Sequence, residues 1–299
     1  MMCVMVQLAL AWCMLCARGM LLWRAAVSAM AETVPVFTAE VVRETASPSP
    51  EPAETPSPTP EPSVSPTPAA DTAFRVEVIR QTEAPKPGTG KRVLIYHTHT
   101  WEAYEQVPDA PYQQTEKWRT RDNSCNVVAV GAALAAQLRA LGFDVVHDMT
   151  AFEPPDLDSA YARSLAMLEA RSEAGERYDL YIDLHRDALS AQSTIRRTVT
   201  IGGEEAARFM VLVGKGTTGG YVQKPDWEQN LALAQRITAN LNAQCEGLAR
   251  DVKIKTGRFN QHIAPCCVLI ECGVNTNTLE QVLCGVPYLA QAIADALAD

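Results

Sequence analysis

The chain has 299 residues, with 26 Lys or Arg against 35 Asp or Glu, which gives a formal net charge of −9 at neutral pH. No Lys/Arg-rich stripe is present, which argues against nucleic acid as the main partner. Three of the nine cysteines, including the CxxC pair Cys13 and Cys16, lie in the apolar N-terminal stretch, and the other six lie in apolar or helical stretches, so neither a disulfide framework nor a thiolate zinc site is expected.

Residues 1–31 are predicted to direct the chain to or through a membrane. The stretch from Met1 to Ala17 carries no charge, and Arg18 follows it. A run of this length suits a short retained membrane anchor, while Ala29-Met30-Ala31 suits the cleavage site of a secretory signal. Both interpretations imply an extracytoplasmic domain, and a membrane-anchored one if the segment is retained.

Residues 32–90 are predicted to form a linker, because twelve of the nineteen prolines lie between Pro35 and Pro87. Proline fixes φ and has no amide donor, so such a segment favours extended polyproline II and builds no core. At about 3 Å per residue, its central part could span on the order of 100 Å. The linker would let a globular domain over residues 91–299 work at a distance from its membrane.

Strand and helix patterns alternate after Lys91. Strands are predicted in "RVLIYH", "FDVVHD", "YDLYIDLHRD", "AARFMVLVG" and "PCCVLIECG". Helices are predicted in "NVVAVGAALAAQLRALGF", "DLDSAYARSLAMLEARSE", "DWEQNLALAQRITANLNAQ" and "GVPYLAQAIADALA". This alternation predicts an α/β domain with a mostly parallel sheet and helices on both faces.

Three of these strands end in polar chemistry, in "VLIYHTH", "YIDLHRD" and "VLIECG". In open α/β sheets, ligands bind outside the carboxyl ends of the strands. His99 and His185 are a natural imidazole pair for zinc, which in catalytic sites keeps one position open. His97 is expected on the same sheet face as His99, as a third ligand, a substrate contact or a support for the ligands.

The carboxylate ligand has two candidates, Glu102 in the loop after His99 and Asp122 just before the first helix. Glu271 follows an apolar run, where an unpaired carboxylate is unfavourable. Burial would raise the pKa of Glu271 and suit it to act as a general base. The alternative is a buried salt bridge, to Arg186 or Arg258.

Other polar features carry less information. His147 is interpreted as structural, and His262 as structural or as part of a substrate loop. No GxSxG elbow is present, and the glycine-rich "GKGTTGG" lacks the P-loop spacing. The segment Gly214 to Gly220 is expected to be a loop that borders the substrate.

Four motifs in order, "IYHTHTWEAY", "RTRDNSCNVVAVG", "YIDLHRDAL" and "LIECGVNTNT", resemble stage II sporulation protein P, a family of membrane-anchored cell-wall hydrolases of endospore-forming bacteria. The family is similar in fold to zinc-dependent N-acetylmuramoyl-L-alanine amidases, which cut the amide between muramic acid and the stem peptide. The resemblance also implies endopeptidase cleavage of cross-links during engulfment, with a partner lytic transglycosylase and a membrane scaffold protein.

Position by position, the resemblance implies zinc ligands at His99 and His185 and a catalytic glutamate at Glu271. The amidases' ligand before the first helix corresponds to Asp122, whereas the family's "HTHTxExY" pattern favours Glu102.

Two further residues, which lie close to these positions in the sequence, are also assigned roles. Arg186 is expected to hold a stem-peptide carboxylate or the developing oxyanion, and Asn275 to contact the substrate or support the ligands. The expected function is peptidoglycan hydrolysis by zinc-activated water. The alternative is a non-catalytic peptidoglycan-binding module with an amidase-like fold.

Overall fold

The computed structural model describes residues 89–108, 110–190 and 192–298. The predicted membrane segment, residues 1–31, and nearly all of the predicted linker lie outside the described residues. Both therefore stay predictions.

The described domain is built on a six-stranded sheet in the order β2-β1-β3-β8-β6-β7. Its strands are β1 (Arg92–Tyr96), β2 (Asp144–His147), β3 (Leu180–Asp187), β6 (Phe209–Gly214), β7 (Lys253–Lys255) and β8 (Cys267–Val274). All neighbouring strands are parallel except β6 and β8, which are antiparallel. A separate antiparallel hairpin consists of β4 (Thr198–Ile201) and β5 (Glu204–Ala207). The predicted mostly parallel sheet is confirmed.

Four described helices cover the sheet, namely α1 (Val127–Ala140), α2 (Ala160–Glu173), α3 (Trp227–Gln244) and α4 (Leu279–Ala298). Strand residues alternate between two hydrophobic clusters. Val93 and Ile95 pack in the cluster that contains α1, α3 and α4, whereas Leu94 and Tyr96 pack in the cluster that contains α2. Helices therefore lie on both faces, as predicted, and this explains the near-continuous apolar character of the central strands.

The last helix begins earlier than the sequence pattern indicated. Gln281 N donates to Thr278 Oγ1 at 3.3 Å, and Thr278 N donates to Gln281 Oε1 at 3.2 Å. This reciprocal pair is a capping box, which satisfies backbone donors at the start of α4.

By length and composition, α4 is the one described helix that could cross a membrane, but half of the apolar window concerned is buried inside the domain. Leu289 and Ile293 of this helix are fully buried in the core. Its apolar character is accounted for by packing on the sheet.

The strand order brings the ends of β1, β3 and β8 together. Tyr96 of β1 pairs with Asp183 of β3, and His185 of β3 pairs with Glu271 of β8. The polar residues predicted at three separate strand ends thus meet in one place.

Candidate functional site

The site is built on the face of the sheet that α2 covers. His185 and Glu271 are register partners on parallel strands and project to the same face. The ring of His99, in the turn after β1, lies 5.3 Å from that of His185 between centroids and nearly perpendicular to it. The structure therefore brings His99, His185 and Glu271 together.

His185 is buried between two carboxylates. Glu102 Oε2 lies 3.4 Å from His185 Nδ1, and Asp183 Oδ1 lies 2.8 Å from His185 Nε2. The second contact has the distance of an ion pair but not the angle of a hydrogen bond. Asp183 is itself fixed by the backbone N and the Oγ1 of Thr98, at 2.8 and 2.7 Å. Burial lowers the pKa of His185, but the two carboxylates more than offset this and raise it well above the ordinary value.

Glu102 is held beside His185 by hydrogen bonds of both its backbone and its side chain. Its carbonyl accepts from Val127 N at the start of α1 (2.9 Å), and its Oε2 accepts from Arg186 N (3.1 Å). Burial raises the pKa of Glu102, but the hydrogen bond and charge of His185 outweigh it and lower the pKa to about 2. Glu102 is therefore held as a carboxylate against His185.

Asp122, the other candidate ligand, lies on the exposed loop before α1. Its Oδ1 accepts from Ser124 N at 2.9 Å and Ser124 Oγ at 2.6 Å, and these bonds lower the pKa of Asp122. No contact joins Asp122 to His99 or His185 in the described part of the chain. Of the two candidates, Glu102 is the one adjacent to the histidines.

Glu271 presents a buried oxygen without a partner. Its Oε2 has no hydrogen bond among the described residues, although the residue as a whole keeps some exposed surface. Burial raises the pKa of Glu271 to about 8, against the opposing effect of His185. Neither Arg186 nor Arg258 forms an ion pair with it in the described structure, so the salt-bridge alternative is not observed. A carboxyl group with such a pKa can both accept and release a proton near neutral pH.

Arg186 supports the Glu102 loop. Its Nε donates to Ala103 O at 2.8 Å, and a terminal nitrogen donates to Trp118 O at 3.2 Å. The guanidinium is thus engaged with backbone carbonyls on both sides of that loop. Its expected contact with a substrate carboxylate or an oxyanion stays a prediction.

His97 lies on the opposite face of the sheet, under α1. Its Nδ1 is 2.9 Å from Leu184 O and its Nε2 is 2.8 Å from His147 Nε2. A Cβ on Gly131 of α1 would lie 2.6 Å from either Nε2. Burial lowers the pKa of His97 to about 4, so the ring is neutral: Nδ1–H donates to Leu184, and Nε2 accepts from His147.

The expectation that His97 and His99 share a sheet face is not met. The alternation that places Val93 and Ile95 toward α1 continues to His97. The strand β1 ends at Tyr96, and the turn that follows carries His99 to the other face, beside Tyr161 of α2. His97 therefore supports β3 from behind through Leu184.

Asn275 joins the ends of β3 and β8. Its Oδ1 accepts from Leu189 N at 3.0 Å, its Nδ2 donates to Leu189 O at 3.2 Å, and its backbone N donates to Asp187 O at 2.9 Å. The buried side chain is thus used to hold the loop after His185. Both roles considered for Asn275, support of the ligands and contact with the substrate, stay predictions.

Two residues at the site were not found from the sequence. The first is Glu153, which is buried in the loop after β2. Its Oε1 accepts a hydrogen bond from Trp101 N at 3.2 Å and lies 3.9 Å from His99 Nδ1. Its Oε2 accepts a hydrogen bond from Arg119. The ring of Tyr161 packs edge-on against His99 at 5.5 Å. The strand-end argument, applied also to β2, would have directed attention to Glu153.

The donor chemistry of the site fits a zinc ion. Two imidazoles and one carboxylate form a common zinc ligand set, and a carboxylate such as Asp183 behind a ligating histidine orients it. His99 Nδ1 is buried without a hydrogen bond, which leaves it available. Within the described ranges, however, no group of three or more His, Cys, Asp or Glu is already arranged to hold a metal ion. Metal binding would therefore require side-chain rotation of these residues.

The sequence model of the family described as Stage II sporulation protein P (SpoIIP) matches residues 31–294. This match spans most of the chain, and the chain belongs to that family. No curated protein sequence matches the chain.

Several solved structures are similar in fold. An N-acetylmuramoyl-L-alanine amidase from Clostridium difficile 630 is 15% identical with a TM-score of 0.43, over 71% of this chain and 96% of that one. The CwlD amidase from Clostridioides difficile, in complex with the GerS lipoprotein, is 15% identical with a TM-score of 0.43, over 70% and 97%. The catalytic domain of CwlV, an N-acetylmuramoyl-L-alanine amidase from Bacillus (Paenibacillus) polymyxa var. colistinus, is 14% identical with a TM-score of 0.43, over 70% and 96%.

Proposed function

We propose that this member of the stage II sporulation protein P family is a peptidoglycan hydrolase that acts through His99, Glu102, His185 and Glu271. The observation that carries the proposal is the buried, unpartnered Oε2 of Glu271 next to His185. An unpaired buried carboxyl group destabilises a fold by about 1–3 kcal/mol or more. Perturbed groups of this kind concentrate at functional sites.

His99, Glu102 and His185 would hold a zinc ion, which when bound polarises the scissile carbonyl and lowers the pKa of water. Glu102 is preferred to Asp122 as the carboxylate because its Oε2 lies 3.4 Å from His185 Nδ1. Asp122 is exposed and hydrogen-bonded to Ser124.

The proposed substrate bond is the amide between the lactyl group of muramic acid and L-alanine. Glu271 takes a proton from the attacking water at Oε2 and then delivers it to the amide nitrogen. A carbon–oxygen bond forms, the carbon–nitrogen bond breaks, and the products are a carboxylic acid and a free amine. Asp183 keeps the His185 ring oriented from Nε2, and Arg186 keeps the Glu102 loop in position from behind.

The finer parts of the proposal rest on the family resemblance. They are cleavage of stem-peptide cross-links, a role in engulfment, and cooperation with a lytic transglycosylase and a membrane scaffold. The proposal also includes a membrane anchor in residues 1–31 and a spacer over residues 32–90. The catalytic domain would then lie outside the cytoplasm.

The test is digestion of purified peptidoglycan by the full chain, with the products identified by mass, with chelator and after zinc is restored. Free stem peptides that disappear with chelator and return with zinc are expected. Glu271→Gln should keep bound zinc and lose activity by about a hundredfold or more, because the proton acceptor is removed. Glu102→Gln should lose both zinc and activity, whereas Asp122→Asn, the matched control, should keep both. Full activity in Glu271→Gln would contradict the mechanism.

The lack of a closed metal-ligand arrangement among the described residues favours a second candidate, a peptidoglycan-binding module without catalysis. This candidate predicts binding to peptidoglycan without product under any condition. It also predicts that Glu271→Gln binds as the unmodified chain does.

A further inference from the structure

We propose that a basic surface on the same domain binds the free carboxylates at the far end of the stem peptide and so selects the substrate. This proposal rests on the proposed function. The surface is called the basic shelf and consists of Lys215, Lys224, Lys255 and Arg258.

The basic shelf has a local charge opposite to that of the chain. Residues 214–225 and 253–262 contain five basic residues and no acidic one, in a chain with a net charge of −9. The two segments are held together, because Gly214 of β6 pairs with Lys255 of β7. A Cβ on Gly214 would lie 2.4 Å from Gly257 O, so only glycine allows this close approach. The charges are thus concentrated on one surface.

Each cation of the shelf lies over an aromatic ring. The distances to the ring centroids are 4.4 Å from Lys215 to Trp227, 5.4 Å from Lys224 to Tyr221, 4.4 Å from Arg258 to Tyr221 and 5.9 Å from Lys255 to Phe259. In the described residues, none of these cations pairs with a carboxylate. Rings position the cations at modest energy and leave the positive charge available to an anion.

Protection of the sheet edge explains only part of this surface. Lysine on an exposed edge strand such as β7 prevents pairing with another sheet, and this accounts for Lys255. Lys215, Lys224 and Arg258 lie on loops beyond the strands. Their clustering needs another reason.

The distance from Glu271 to the shelf matches the length of a short peptide. Met210 of β6 pairs with Glu271, and β6 continues from there to Gly214, next to the shelf. Four residues of strand span about 13 Å, and so does an extended peptide of four residues. A stem peptide with its first amide at Glu271 would therefore reach the shelf with its last residues.

An aromatic path connects the two places. The ring of Tyr161 lies 5.5 Å from that of His99 and 5.8 Å from that of Phe259. Phe259 is the ring over which the Lys255 ammonium lies. Tyr161 thus contacts one ring of the candidate site and one ring of the shelf region, while β6 runs antiparallel to β8 and carries the shelf toward the other end of the sheet.

A cavity of about 370 Å³ opens beside the shelf, and its polar lining consists of Lys224, Asp226 and His262, of which Asp226 is the one acidic residue. His262 Nδ1 is buried without a hydrogen-bond partner among the described residues. This cavity gives a peptide end both room and an unused polar group. Of the two interpretations of His262 from sequence, this position favours the substrate loop.

The experiment measures binding of two probes to the full chain carrying Glu271→Gln, by calorimetry. The probes are a muramyl tetrapeptide with a free C-terminal carboxylate and the same peptide as a C-terminal carboxamide. We expect the carboxylate form to bind about fivefold more tightly, the upper range for an exposed ion pair. Adding Lys255→Gln and Arg258→Gln should remove this preference. The matched control is Arg92→Gln, since Arg92 also lies over a ring, that of Tyr178, at 4.8 Å.

A variant that keeps both positive charges shows whether loss of preference comes from misfolding. The double variant Lys255→Arg with Arg258→Lys should keep the preference for the carboxylate. Equal affinity for both probes before the shelf is changed, or a preference that survives loss of both charges, would overturn the proposal. A third result would also overturn it: shelf variants that bind both peptides normally and bind less well only to cell walls that retain phosphodiester polymers. Because the readout is binding, a chain that prefers the carboxylate but never cleaves peptidoglycan would contradict the proposed hydrolysis and leave the shelf supported.

Discussion

Replacement of Gly131 by alanine tests the conclusion that His97 belongs to a buried structural pair. The added Cβ would lie 2.6 Å from His97 Nε2 and equally close to His147 Nε2, and both rings are buried. Contacts this short cannot persist, so α1 must move or the 2.8 Å bond between the imidazoles must break.

The expected change in the free energy of unfolding combines two destabilising effects and one stabilising effect. Overpacking of a buried site costs about 2 kcal/mol. Leaving a buried imidazole nitrogen without its partner costs about 2 kcal/mol more. Removing a glycine from a helix interior returns about 1 kcal/mol. The net prediction for Gly131→Ala is a loss of about 3 kcal/mol in the free energy of unfolding.

Urea unfolding, followed by circular dichroism, measures this loss as a change in midpoint at constant slope. The control is the double variant Gly131→Ala with His147→Ala, in which removal of one ring gives the new methyl group room. The double variant should lose less than the sum of the two single losses, because the two positions are in contact. A Gly131→Ala variant as stable as the parent, or strict additivity, would refute the assignment of this contact.

Two further outcomes follow from buried groups. Burial, with the electrostatic effects of His97 and Arg139, keeps the pKa of His147 well below 6.5, so the unfolded chain binds more protons. The free energy of unfolding therefore falls as the pH drops below about 6.5, by up to about 1.4 kcal/mol per pH unit. His147→Gln should make this dependence less steep between pH 7.5 and 5.5 in urea titrations of the metal-free protein, with the buried His97 keeping part of it, and identical slopes would count against it. Glu153→Gln should lower kcat about tenfold with zinc still bound, because the carboxylate next to His99 Nδ1 loses its charge. Glu116→Gln, exposed and also near Arg119, is the control, and equal effects of the two changes would remove the special role of Glu153.

The sequence predicted the parts of this domain that depend on local patterns. Alternation of apolar residues located the main strands, and the strand-end argument selected His99, His185 and Glu271, which the structure brings together. The start of α4 was missed, although the capping box of Thr278 and Gln281 is visible in the sequence.

Other features depend on pairings that a local pattern does not contain. The direction of β6 is one, because an apolar strand has the same composition whether it runs parallel or antiparallel to β8. The partners of Arg186 are another, since a guanidinium on a strand end can reach substrate or backbone equally well. Its bonds to Ala103 and Trp118 depend on how the loop after β1 folds back.

The contrast between His97 and His99 shows where the alternation argument stops. Residues two apart share a face only while the strand continues, and β1 ends at Tyr96. His97 keeps the side of Ile95 and contacts Leu184 O from under α1, while the turn takes His99 to the side of His185. One short "HTH" segment therefore serves both faces of the sheet. Its first histidine supports the strand that carries His185, and its second lies beside His185 at the candidate site.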